Sequence, residues 1–317
     1  MRMLKQPLPW QVGLVLVAGV FAISTAAIFI RLAMDAAASP YANASAGVRG
    51  VGFSLFISAS RLAIASLLLV PAWRNLQPSQ LSPGALRYAG AAGLCLALHF
   101  ATWITSLSFT SIAASTTLVT TNPVWVALLS WLWLKEKPKA LTVLGIGAAF
   151  GGGVLIALGD TGGVTGGSNP PLGNFLALVG AWMASLYFLL GREAQQRGLG
   201  IGSYVAIAYS TGALVLLPLP FIAGSTYVGY PIAVYLYILL MAVLSQVVGH
   251  TTLNWAIRWI SPTLVTLAIL FEPVSSSFLG YLIFNEVPGL LVLVGAAVVL
   301  TGVAVAIYGT REKPPHD

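Results

Sequence analysis

Two dipeptides set deep in apolar stretches pose the chemical question, Asn122-Pro123 and Glu272-Pro273. Proline removes a backbone donor and bends or breaks a helix. The carbonyls it frees are tolerated at membrane depth only where protein or water satisfies them. A carboxylate at that depth costs about 2.5–3.5 kcal/mol and marks a pathway, a cavity or a buried partner by default. Glu272 therefore reads as a ligand for a substrate ammonium or as a proton carrier. The structural alternatives are a hydrogen bond to a carbonyl freed by Pro273, or a pair with Arg61, which lies inside another apolar run.

Two histidines in related places add imidazole chemistry. His99 is followed four residues later by Trp103, and His250 by Asn254, so each pair shares a helical face. Such histidines relay protons, bind solute or simply satisfy a neighbour. No Cys, Asp or further His accompanies them at ligand spacing, so neither metal nor cofactor is expected. Trp182 and Tyr187, within a later run, are candidates to line the same cavity. Ser24 and Thr25 are candidates to hydrogen-bond a solute, against the ordinary role of small polar residues as helix-packing contacts. Trp10, Trp73, Trp131 and Trp133 fit an interfacial belt instead. Glu136 and Glu286, at the level of the loops, read as structural or gate residues.

The elements that must position these groups follow from composition. The chain has 317 residues, 58% hydrophobic and 7% charged, with a mean hydropathy of +0.90, far from a soluble domain, in which about a quarter of residues are charged. Continuous apolar runs near 10–32, 54–73, 84–107, 113–134, 139–158, 172–191, 202–222, 233–257, 263–284 and 289–308 each approach the roughly 20 residues that cross a bilayer as a helix. The expected fold is an all-α integral membrane protein of ten transmembrane helices. The first run follows MRMLKQPLP and is read as a retained helix, not as a cleaved leader.

The chain also repeats itself. Residues 121–138, TNPVWVALLSWLWLKEKP, align at an offset of 150 with residues 271–288, FEPVSSSFLGYLIFNEVP, matching a valine, two leucines, a glutamate and two prolines. Gly145 with Gly295 and Gly152 with Gly302 continue the offset. The lysines beside Glu136 have no counterpart beside Glu286. Of 15 Lys and Arg, twelve fall on one side if the N-terminus is cytoplasmic and the runs alternate, and only Arg31 and Arg49 on the other. The positive-inside rule then puts both termini in the cytoplasm. Five crossings per unit invert the second copy, and the lysine-rich turn loses its charge because it faces outward. The units are 10–158 and 172–308, joined by a Gly-rich linker at 159–171, with a cytoplasmic tail at 309–317. Gly147 and Gly151 in the first unit suggest that its last helix packs closely on the last helix of the second.

Inverted repeats of this kind are a secondary-transporter architecture, with the site between the halves near the midplane. The two segments SIAASTTLVTTNPVWVALLSWLWLKEKPKALTVLGIGAAFGGGVLIAL and ISPTLVTLAILFEPVSSSFLGYLIFNEVPGLLVLVGAAVVLTGVAVAIYG resemble the EamA family of the drug/metabolite transporter superfamily. The resemblance covers nearly the whole chain and includes the prolines, the turn glutamates and the Arg of the second run. It implies an exporter of small metabolites, amino acids prominent among them, as in YddG-like exporters of aromatic amino acids. Other branches move nucleotide sugars, sugar phosphates or drugs. The stretch at 33–53 is longer than the turn usual there.

An intramembrane enzyme would need a nucleophile with its base or a metal cluster, neither of which the sequence supplies. The +7 charge is topological and implies no nucleic acid. No phosphate-cradling Gly motif points to ATP. The expected partners are a small solute, lipid and protons, with a monomer sufficient, in the inner membrane of a bacterium.

Overall fold

The computed structural model describes residues 7–38, 50–77, 79, 81–109, 115, 118–135, 137–159, 169–285 and 289–310, and among these every regular element is helical. The α-helices are α1 (Pro9–Ala37), α2 (Val51–Leu68), α3 (Ala85–Ser106), α4 (Asn122–Leu129), α5 (Ala140–Gly159), α6 (Pro170–Gln196), α7 (Ile201–Leu216), α8 (Leu219–Ile222), α9 (Ile232–Leu240), α10 (Thr251–Ala256), α11 (Pro262–Ile269), α12 (Glu272–Phe284) and α13 (Leu290–Thr310). Two π-helical stretches extend them: Ser130–Leu134 after α4, and Met241–His250, which joins α9 to α10.

Among the described residues, seven spans are long and apolar enough to cross a membrane: Pro9–Ala37, Val51–Leu68, Ala85–Ser106, Pro171–Gln196, Ile201–Ile222, Ile232–Ala256 and Pro262–Ile283. Two shorter apolar helices, Ala140–Leu155 and Leu293–Ala306, accompany them. The expected run at 113–134 lies partly outside the described residues. Helix starts follow local chemistry. Asn169 and Ser261 each stand before a proline, and their side chains accept the free N–H groups of Leu172 and Leu264 at 3.3 Å, the ordinary N-cap arrangement with Pro in the first turn.

Small residues bring the backbones together. The π run presses Gly249 against Ile23 of α1, while Gly19 of α1 meets Thr252. Gly180 of α6 faces Trp103 and Thr102 of α3, and Gly212 of α7 faces Leu62 of α2. Helices α5 and α13 pack side by side as expected, but through a different face. Gly145 meets Gly302 and Ala306, and Gly152 meets Gly295 and Val299, whereas a side chain at Gly147 or Gly151 would find open space within 4 Å. At 3.6 residues per turn, 145, 149 and 152 share one stripe, and 147 and 151 lie on the far side.

The turns after the two proline-bearing stretches also match. Lys135 and Asn285 both adopt left-handed backbone, with φ of 61° and 56°. Asparagine visits that region readily, whereas a lysine there is strained by about 1–2 kcal/mol. Lys135→Asn should therefore raise the thermal unfolding midpoint in detergent, by up to about 1 kcal/mol of stability. An unchanged or lower midpoint would contradict that strain.

Candidate functional site: a charged cavity at two broken helices

Proline creates the frame of the site. Pro273 has no N–H to offer the carbonyl of Ile269, so the ladder breaks between α11 and α12. It is replaced by short-range bonds from Leu270 N–H to Leu267 O at 3.1 Å and from Phe271 N–H to Ala268 O at 3.0 Å. Glu272 thereby becomes the first residue of α12. There the free N–H groups and the positive end of the helix dipole favour a carboxylate. Pro123 does the same on the other side: Thr121 N–H reaches Leu118 O at 3.2 Å, and Asn122 becomes the first residue of α4. Ser185 of α6 ties the Asn122 carbonyl down with a hydroxyl bond of 3.2 Å.

These two helix starts face a shared cavity of about 50 Å³, lined among others by Glu272, Asn122, Arg61, His99, Trp103 and His250. At roughly 10–15 Å³ per water, that is room for about three to five water molecules, enough for a charged head group and too little for a whole metabolite. Six residues singled out from the sequence thus meet at one place, drawn from α2, α3, α4, the π run and α12.

Each is held by identifiable contacts. His99 Nδ1 bonds the Gly180 carbonyl at 2.9 Å, and its ring stacks on Trp103 with centroids 5.7 Å apart and planes 14° apart. His250 is half-buried with Nδ1 lacking a hydrogen-bond partner, its ring edge-on to Phe100 at 5.4 Å. Arg61 is only 1% exposed. Its Nε donates to Gln246 Oε1 at 2.9 Å, and its guanidinium carbon sits 4.1 Å over the Phe100 ring, a cation–π contact strengthened by desolvation. Among the described residues, no ion pair closes between Arg61 and Glu272, although both line the cavity.

The other sequence candidates lie elsewhere. Asn254 and Tyr187 are buried behind His250 and bonded to each other, the amide donating to the phenol oxygen at 2.5 Å and to the His250 carbonyl at 2.6 Å. They position the imidazole's backbone without lining the cavity. Ser24 spends its hydroxyl on the Val20 carbonyl at 2.8 Å. Trp182 is 44% exposed and packs edge-to-face on Trp125 at 5.1 Å, outside the lining. Glu136 and Glu286 lie outside the described residues.

Gln246 and Phe100 escaped the sequence reading. For Gln246 the signal was present: an amide in the apolar stretch AVLSQVVGH, a placement that calls for a buried polar partner. Phe100 carries no such signal, being one phenylalanine among many. Among the described residues no group of three His, Cys, Asp or Glu gathers to hold a metal ion. What the cavity offers is one cation, one carboxylate, two imidazoles, an amide and aromatic walls. Such a set can bind a small solute by its charges.

A broken-helix, two-charge cavity inside an apolar bundle is the kind of site that membrane transport proteins place near their midplane. The model of the EamA-like transporter family matches the chain twice, over residues 10–158 and 171–308, and the chain belongs to that family. A protein described as an uncharacterized transporter from Clostridium kluyveri is 27% identical over 214 residues, covering 66% of this chain and 67% of that one. A solved crystal structure superposes with a TM-score of 0.73 at 17% identity, covering 94% of this chain and 97% of the other, a likeness of fold. The protein is a multi-pass membrane transporter of the EamA type.

Proposed function

We propose that this transporter exports small zwitterionic metabolites, foremost amino acids with apolar or aromatic side chains, by alternating access. The carrying observation is Glu272, a carboxylate at the start of a broken helix, in a cavity walled by the His99–Trp103 stack. An ammonium group suits the carboxylate, and an apolar side chain suits the rings. A cavity with room for a few waters must widen to admit such a solute, which is the demand alternating access meets.

The mechanism we envisage is a rocking of two inverted five-helix repeats, ten crossings in all, with both termini on the cytoplasmic side of a bacterial inner membrane. Its support is the way contacts exchange between halves. Position 145 meets the counterpart of 152, and 152 meets the counterpart of 145, at the offset of 150. The same offset relates the two left-handed turn residues, Lys135 and Asn285. Helix α3 packs on α6 as α1 packs on the stretch from α9 to α10, the pattern a pseudo-twofold axis in the membrane plane would produce. One chain carries both halves, so one copy suffices.

Counterflow tests the reading. Proteoliposomes preloaded separately with amino acids, nucleosides, sugars or organic cations are expected to accelerate uptake of a labelled amino acid only when the internal solute is an amino acid. Repeating the assay with a collapsed proton gradient separates proton-coupled transport from facilitated diffusion. Folded protein that exchanges no amino acid would end the amino-acid assignment and leave a transporter of other cargo.

A further inference from the structure

The ammonium side of the cavity has a candidate ligand in Glu272; the opposite charge has been left without a role. Arg61 is 1% exposed and lines the cavity, yet its Nη1 has no hydrogen-bond partner. Its fixing contacts use other parts of the group: Nε goes to Gln246 Oε1 at 2.9 Å, and one π face lies on Phe100. The amide that clamps it, Gln246, is 0% exposed and leaves its own Nε2 without a partner. Two buried N–H donor groups on one clamped pair therefore stand unused, one on a cation that lines the cavity.

From this we infer that Arg61, oriented by Gln246 and Phe100, is the carboxylate subsite of the transporter, facing Glu272 as the ammonium subsite. The inference rests on the amino-acid reading above and names the half of the substrate that reading left unassigned.

Three physical arguments carry it. A guanidinium binds a carboxylate through a planar fork of N–H donors, stronger and more directional than a neutral hydrogen bond. An unpaired buried donor on a charged group is expensive, and an incoming carboxylate relieves that cost only while bound, so the interaction selects for it. Charge balance then favours a zwitterion. With Arg61 positive and Glu272 negative, a zwitterion entering between them leaves the buried site neutral, whereas an amine or an acid alone adds a net charge to a medium that solvates charge poorly. Among the described residues no ion pair closes between Arg61 and Glu272, so neither charge is spent on the other. The available space, that of about three to five waters, also admits a carboxylate group.

The test uses four probes on one skeleton: phenylalanine, phenylalanine methyl ester, phenethylamine and 3-phenylpropionate. Dissociation constants are measured on the purified full chain by ligand-induced thermal stabilisation and calorimetry, for wild type, Gln246→Glu and Arg61→Lys. Wild type should bind phenylalanine about 30-fold or more tightly than the ester or the amine, the loss expected when a buried charge partner is removed. Gln246→Glu puts a fixed carboxylate on Arg61 with little change of shape. It should weaken phenylalanine and phenylpropionate by a similar factor and leave phenethylamine within about threefold, a selectivity that a merely structural role would not alter.

If the ester binds as well as phenylalanine, or folded Gln246→Glu keeps wild-type affinity for both acids, the subsite is refuted while the amino-acid reading stands. If phenylpropionate binds and phenylalanine does not, the amino-acid reading falls and the proposal falls with it, because Glu272 then receives no ammonium. Binding of neither acid overturns both. Should Gln246→Glu fail to fold, the comparison of the four probes on wild type decides, with Arg61→Lys, which loses the fork but keeps the charge, expected to reduce the preference for acid over ester.

Discussion

Glu272→Gln is expected to lower amino-acid exchange in proteoliposomes by roughly 30-fold to several thousand-fold, the equivalent of about 2–5 kcal/mol for removing one partner of a buried charge pair. The amide keeps the shape of the carboxylate and its place at the first turn of α12, so the loss reports charge and not packing. Two consequences of the same change must be separated. Removing the negative charge takes away the ammonium ligand, and it also leaves Arg61 as the one charge lining the cavity among the described residues. The second effect appears as a lower unfolding midpoint, because a buried cation without compensation is destabilising. Raising external substrate should restore exchange if binding is what was lost, and should not if the protein is misfolded. A folded Glu272→Gln protein that exchanges amino acids at the wild-type rate with the same proton-gradient dependence would remove both functional roles from this residue.

What the sequence disclosed and what it hid divide along a physical line. Depth was legible. Hydropathy located the apolar runs, and Glu272 and Arg61 stood out because charge inside such runs is costly. The breaks were legible too, since proline cannot donate its missing hydrogen bond wherever it sits. Azimuth was not legible. A helix that is apolar all round has no stripe to say which way it faces, and two misplacements share that cause. Trp182 has the right depth for the cavity, but its side of α6 turns to Trp125. Gly147 and Gly151 have suitable spacing for close packing, but the contact runs through Gly145 and Gly152. The repeat offset held the correction, because Gly145 and Gly152 each have a glycine 150 residues on, whereas Gly147 and Gly151 align with Ala297 and Thr301. Pairings across the chain were hidden for a different reason. Gln246 lies 185 residues from Arg61 and Asn254 lies 67 from Tyr187, and no local pattern encodes a contact at that separation.

The corrected helix contact yields the second large effect. The pair Gly145→Val/Gly152→Val is expected to cost about 2–6 kcal/mol, two overpacked sites at about 1–3 kcal/mol each. A Cβ at 152 would fall 2.6 Å from the Val299 nitrogen and 2.7 Å from the Gly295 carbonyl oxygen, and one at 145 would fall 2.5 Å from the Ala306 nitrogen. Those neighbours are backbone, which cannot rotate away, so α5 and α13 must part along the contact. Separation there removes the dispersion contacts that hold apolar helices together in lipid, where no hydrophobic force replaces them. Size-exclusion profiles and unfolding midpoints in detergent should show a large loss of folded protein. Gly147→Val/Gly151→Val is the matched control, with the same residue types on the same helix, and should keep near wild-type stability because those positions open onto free space. The reverse ranking would place the interface on the opposite face of α5. It would also break the exchange of contacts between positions 145 and 152 and their counterparts, on which the two-repeat reading of this transporter depends.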